Sequence, residues 1–168
     1  WILHKRLPDN LKAPHAGLMP AGFSAEHLGN NDYYYWDDFW SIAGLDSAAE
    51  CCRLANDPKS EKRFRDGATA FRTAVERSLE ASAGVRRHPG LSASPYRRMD
   101  AGAVGSIVAD YPLHLYPPAE PRLLATVEFL IERCFVEGAF FQDMVHSGIN
   151  AYLTLQIAQV LLRAGDPR

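Results

Sequence analysis

Five helical segments alternate in character along this chain, and the alternation constrains the possible folds more than any other feature. The segment 37–55 is apolar on nearly every side, through Phe39, Trp40, Ile42, Leu45, Ala48, Cys51 and Leu54. The segment 58–83 is amphipathic, with Phe64, Ala68, Phe71, Val75 and Leu79 in one stripe opposed by Lys and Arg. Residues 99–109 are small and apolar, including Ala101, Gly102, Val104 and Ile107. The segment 119–135 is amphipathic again, through Leu123, Val127, Leu130, Ile131 and Cys134, and 149–163 is apolar on most faces. A helix apolar all round must be covered on more than one side, whereas an amphipathic one keeps a face in water. Two concentric layers satisfy this order. The expected class is therefore all-α, with antiparallel hairpins arranged as part of an α/α toroid. An ordinary bundle or a stack of hairpin repeats is the plainer alternative.

The 168 residues suffice for a single domain spanning 1–168 with a real core. Residues 1–36 read as loop entering the first inner helix, with room for one short strand. The net charge of −2 and the absence of a basic stripe argue against nucleic acid or an anionic membrane as partner. No apolar run is long enough to cross a membrane. Three cysteines, two of them adjacent at Cys51-Cys52, do not form a disulfide framework, and they suggest a reducing, cytoplasmic compartment. Without a CxxC pair or an HExxH, neither a metal nor another cofactor is expected. The chain opens on Trp1-Ile2-Leu3 and reads as a piece of a longer polypeptide.

The stretch Asn30 to Trp40 packs six aromatic side chains and three carboxylates into eleven residues. Carboxylates hydrogen-bond sugar hydroxyls, and flat aromatic faces cover the C–H faces of pyranose rings. Aromatics with a polar handle suit a half-wet pocket better than a dry core. The cluster therefore points to a carbohydrate site, with Tyr35, Trp36, Asp37 and Asp38 as candidate ligands. Adjacent residues on a helix lie about 100° apart, so Asp37 and Asp38 cannot both face one sugar, and the other can serve as an anchor. Asp100 stands at a helix N-cap, which accounts for it in full. Cys51 and Cys52 are expected to fill a tight helix–helix contact.

Tyr35-Trp36-Asp37-Asp38 resembles the aromatic-Trp-Asp-acid signature that opens an inner helix in the (α/α)6-barrel, or six-hairpin, glycosidases and phosphorylases. Glucoamylases, trehalases and maltose-phosphorylase-like enzymes belong to that group. The resemblance implies that Asp37 bonds the hydroxyls of a terminal glucose and that Trp36 is the apolar wall. A second stretch, Phe141 to Tyr152, is similar to the loop that carries the general acid in the phosphorylase-like members. That acid is normally Glu. Here Asp143 occupies the region, with Glu137 as a second candidate and His146 as a further sugar ligand. On this likeness the chain covers about half a barrel.

Glycoside hydrolysis needs one carboxylic acid to protonate the leaving oxygen and a second group to activate water, or phosphate as nucleophile. The resemblance places the catalytic base beyond this chain, so the isolated chain is expected to be inactive. The leading expectation is a carbohydrate-processing domain acting on glucosyl linkages. A vestigial sugar-binding domain and a helical protein-interaction scaffold are the alternatives. Half a toroid would leave an apolar inner face open, to be covered by the rest of a barrel or by a second copy.

Overall fold

The computed structural model describes residues 1–23, 31–143 and 147–167. Helices make up 57% of the described residues. In chain order they are α1 (Ile2–Lys5), α2 (Tyr35–Leu54), α3 (Pro58–Ala81), α4 (Ala83–Arg86), a 3-10 helix (Ala101–Ala109), α5 (Pro121–Cys134) and α6 (Ala151–Ala164). The helical majority matches the sequence reading, but the all-α expectation needs correction. Three short strands, β1 (Phe135–Val136), β2 (Ala139–Gln142) and β3 (Gly148–Ile149), form an antiparallel sheet in the order β1-β2-β3. Phe135 pairs with Phe140, and Phe141 with Ile149. The described residues of 1–36 contain the unforeseen α1 and, in place of a strand, an isolated bridge between Gly22 and Asp32.

Local chemistry sets the helix ends. Asn56 takes a positive φ of 55°. The Asp57 side chain then accepts from the Ser60 N–H, and Pro58 occupies the first turn of α3. Asp100 caps the 3-10 helix as foreseen, accepting from the Gly102 N–H at 2.8 Å. Asn150 caps α6 by accepting from the Leu153 N–H. Gly165 ends that helix in the left-handed conformation, φ 72°.

Packing follows the alternation in outline. All nine residues of the 3-10 helix are buried, in contact with α2, α5 and α6. Its small side chains let it run among three neighbours without crowding. Helix α3 packs along α2, and α5 along both the 3-10 helix and α6. The stripe on α3 is buried through Ala68, Phe71, Val75 and Leu79. Two apolar clusters result. One is built on α2 and α3 around Phe39, Ile42 and Phe71, and the other on the 3-10 helix, α5, α6 and β2 around Ile107, Leu130 and Phe140. Contrary to expectation, Cys51 is exposed and Cys52 half-buried, both as free thiols.

Loops contribute to the interior as well. Residues 90–95 are buried, so their backbone groups need partners. Leu91 N–H donates to Thr126 Oγ1, Ser106 Oγ to the Ser92 carbonyl, and Tyr35 N–H to the Ala93 carbonyl. A Cβ at Gly90 would lie 2.9 Å from the Thr126 backbone nitrogen, so only glycine permits this approach to α5. At the other end, the Arg6 guanidinium sits over the Phe71 ring at 4.4 Å and donates to the Gly17 carbonyl, fastening loop 6–18 onto α3.

Candidate functional site

Helix α2 separates its residues by face. Tyr35, Asp38, Phe39, Ile42, Leu45 and Ala49 turn inward. Trp36, Asp37, Trp40 and Ser41 line an open pocket of about 620 Å³, closed on the other side by Trp1, Ile2, Lys5, Met19, Pro20, Gly22 and Phe23. The two sets follow from helical geometry, since residues four apart share a face. Trp36 and Trp40 lean together with ring centroids 5.7 Å apart and planes tilted by 54°. All three tryptophans of the chain line this pocket.

Asp37 is half-buried among these aromatics. Burial, which penalises its charged form, pushes its carboxyl up to about 6. Asp38 lies on the inward face at 1% exposure. Its Oδ1 accepts from the Met19 N–H at 2.8 Å, and Oδ2 has no partner among the described residues. Burial pushes this carboxyl up to about 8, against the opposing pull of the Met19 N–H and Arg6. At neutral pH it is therefore largely the neutral acid. Asp38 ties the loop before the pocket to α2, which positions Met19 and Pro20 as pocket wall.

Tyr35 is likewise interior. Its hydroxyl is 2.9 Å from Ser78 Oγ and 3.4 Å from Ser82 Oγ, which binds α2 to α3. Of the four aromatic and acidic candidates at positions 35–38, Trp36 and Asp37 line the pocket, and Tyr35 and Asp38 support it from inside. The sequence reading counts Trp40 in the aromatic-acid cluster and among the apolar residues of the first helix without naming it as a ligand, and does not single out Ser41, Phe23 or Lys5. Spacing alone could have recovered two of these, since positions 40 and 41 fall four residues after Trp36 and Asp37.

The catalytic candidates lie elsewhere. Asp143 is exposed and lines a separate pocket of about 310 Å³ with Asp100, Ala101, Phe129, Arg133, Cys134, Val136 and Phe141. No described residue lines both pockets. Here Asp100 is occupied by Arg97 at 2.7 Å, and burial pushes the Cys134 thiol up to about 11, so it is no thiolate nucleophile. Glu137 is exposed at the tip of the β1–β2 hairpin, in a two-residue turn with φ 51° at Glu137 and 79° at Gly138. His146, with His27 and Glu26, lies outside the described residues. Among the described residues no group of three His, Cys, Asp or Glu could hold a metal ion, and no helix is long and apolar enough to cross a membrane.

Comparison of the chain with family models, curated proteins and solved structures gave no match. The functional reading therefore rests on the pocket's chemistry.

Proposed function

We propose that this chain is a carbohydrate-processing domain whose pocket at the start of α2 holds a glucosyl unit. The observation that carries the reading is the convergence of Trp36, Trp40 and Phe23 around the Asp37 carboxyl in one open concavity. Aromatic faces cover the apolar faces of a pyranose, and a carboxylate accepts from two adjacent hydroxyls. Lys5 and Ser41 stand at the same pocket as further donors. The row formed by α2, the 3-10 helix and α6, backed by α3 and α5, supports placing the site in part of an α/α toroid.

The three tryptophans supply the assay. Titration with glucose, maltose or trehalose should quench or shift their emission, and Trp36→Ala should weaken binding roughly tenfold, about 1.4 kcal/mol. A hydroxyl bonds an ionised carboxylate more strongly than a neutral one. Affinity should therefore rise as pH passes upward through about 6, where Asp37 ionises, and Asp37→Asn should remove that rise. Unchanged emission and unchanged amide NMR shifts with all three sugars would refute the reading.

A non-catalytic sugar-binding domain is the second reading. It is favoured by Asp37 being the one carboxylate among the described residues lining this pocket. Hydrolysis and phosphorolysis assays on the full-length protein that carries this chain, alongside Asp37→Asn, Asp143→Asn and Glu137→Gln, separate the two. Turnover lost in Asp143→Asn or Glu137→Gln with sugar binding intact supports the enzyme, and binding without turnover supports the binding domain.

A further inference from the structure

Helix α6 is covered on one side by the 3-10 helix, α5 and β2. Its opposite side carries Ala151, Tyr152, Leu155, Ala158 and Leu162, all exposed. Tyr152, Leu155 and Leu162 are 60%, 66% and 70% exposed. The helix has a single charged residue, Arg163. That guanidinium is engaged on the inner side, at 2.5 Å from Asp110 Oδ1 and 2.7 Å from the Asp110 carbonyl. The outward stripe is thus long, apolar and without charge, a kind of surface that marks an interface.

The order of residues on the stripe identifies the occupant. Ala151, Leu155, Ala158 and Leu162 follow at intervals of four, three and four, with small and large side chains alternating. When two such helices run antiparallel about an axis level with Gln156 and Ile157, Leu155 falls opposite Ala158 of the second copy. Leu162 likewise falls opposite its Ala151. Every large side chain of this set then meets a small one, and the pattern reads the same from both ends, as an isologous contact requires. A different protein as partner would impose no such symmetry.

We propose that the outward face of α6 is a two-fold homodimer interface, formed by antiparallel pairing of α6 with α6 of a second copy. A contact confined to one helix face per copy belongs with the small interfaces, which bury on the order of 1,000 Å² in total. That is at the lower end for specific complexes and fits a reversible dimer of about micromolar affinity.

Sedimentation velocity on the 168-residue chain, over roughly 1 µM to 500 µM, tests this. The expected result is a concentration-dependent shift from monomer to dimer that is insensitive to salt. Leu155→Glu and Ala158→Lys should each be monomeric throughout, with unchanged circular dichroism. Mixed in equal amounts, those two variants should associate again. The glutamate introduced in one copy then faces the lysine introduced in the other, while the second Leu155–Ala158 contact of the pair stays native. If Leu155→Glu alters the fold, Leu162→Glu with Ala151→Lys repeats the test at the outer pair. A wild-type monomer at every concentration would overturn the proposal and leave the face to another partner. Dimers that survive Leu155→Glu, or variants that fail to associate on mixing, would also overturn it.

Discussion

Helices α2 and α6 both carry apolar residues on more than one face, yet the molecule treats their outward sides differently. Outside α2, Trp36 and Trp40 face a concavity walled by the N-terminal segment, with a carboxyl among them. Outside α6, Leu155 and Leu162 project without a charge on the stripe. Apolar residues around a polar group in a hollow suit a small amphipathic ligand. Apolar residues in a smooth uncharged row suit a helix of matching shape. Surplus hydrophobicity alone therefore does not tell a binding pocket from an interface; curvature and the charge among the apolar groups do.

The sharpest way to break this contrast is to dismantle the wall opposite α2. Gly17 has φ 77°, and a Cβ there would lie 2.2 Å from Asp9 Oδ1 and 2.8 Å from Ala74 Cβ. Gly17→Val combines a strained left-handed backbone with these overlaps and should destabilise by about 3 kcal/mol or more. Urea unfolding measures the loss. The sugar response should disappear at denaturant concentrations that leave the α5–α6 region protected from hydrogen exchange. Uniform loss of protection would mean the two regions are one cooperative unit.

Asp38 offers the next largest effect, and its sign can be worked out. Its folded value near 8 lies above the ordinary carboxylate value of 3.8. The unfolded chain thus releases this proton first, and the residue's contribution to stability, complete in acid, declines between about pH 4 and pH 8. Asp38→Asn keeps an acceptor for the Met19 N–H but cannot ionise. It should be close to neutral at pH 4 and stabilising by about 2–4 kcal/mol at pH 9. An unfolding midpoint whose difference from wild type does not change with pH would place Asp38 in water.

Smaller still is the effect of Trp40→Ala. Trp40 is 40% exposed, so truncation removes pocket wall without opening the core. Sugar affinity should fall about threefold to tenfold, with stability changed by less than about 1 kcal/mol. A large stability loss would make Trp40 a core residue after all.

Much of this layout was legible in the sequence, for reasons that can be named. Helices α3 and α5 carry long stripes at helical spacing, and the residues of those stripes, such as Phe71, Val75, Val127 and Leu130, are the ones buried. Asp57-Pro58 and Asp100 mark helix starts by their own hydrogen bonds. The sheet was not legible because strands of two to four residues show no period, and Phe135 continues the apolar run of α5. For α6, composition could not reveal its open side: an apolar face reads the same whether the core or nothing covers it. At the site, the aromatic-acid cluster was visible as a cluster, but its division into pocket and interior needed the helix phase. That phase puts Asp37 beside Trp40 and Asp38 beneath them.

The smallest predicted effect bears on Glu137, the catalytic candidate that lines neither of the two pockets. Glu137 and Gly138 form a two-residue hairpin loop with positive φ at both positions, the turn in which Asn-Gly is strongly preferred. Glutamate adopts that conformation at a cost, and asparagine tolerates it better. Glu137→Asn should therefore raise stability slightly, by less than about 1 kcal/mol, while leaving sugar binding at the α2 pocket unchanged. Thermal unfolding and the tryptophan titration measure the two effects together. A gain in stability with unaltered binding assigns this residue to the turn. A loss of turnover or of sugar affinity would join the hairpin to the α2 pocket and remove the division between the two regions.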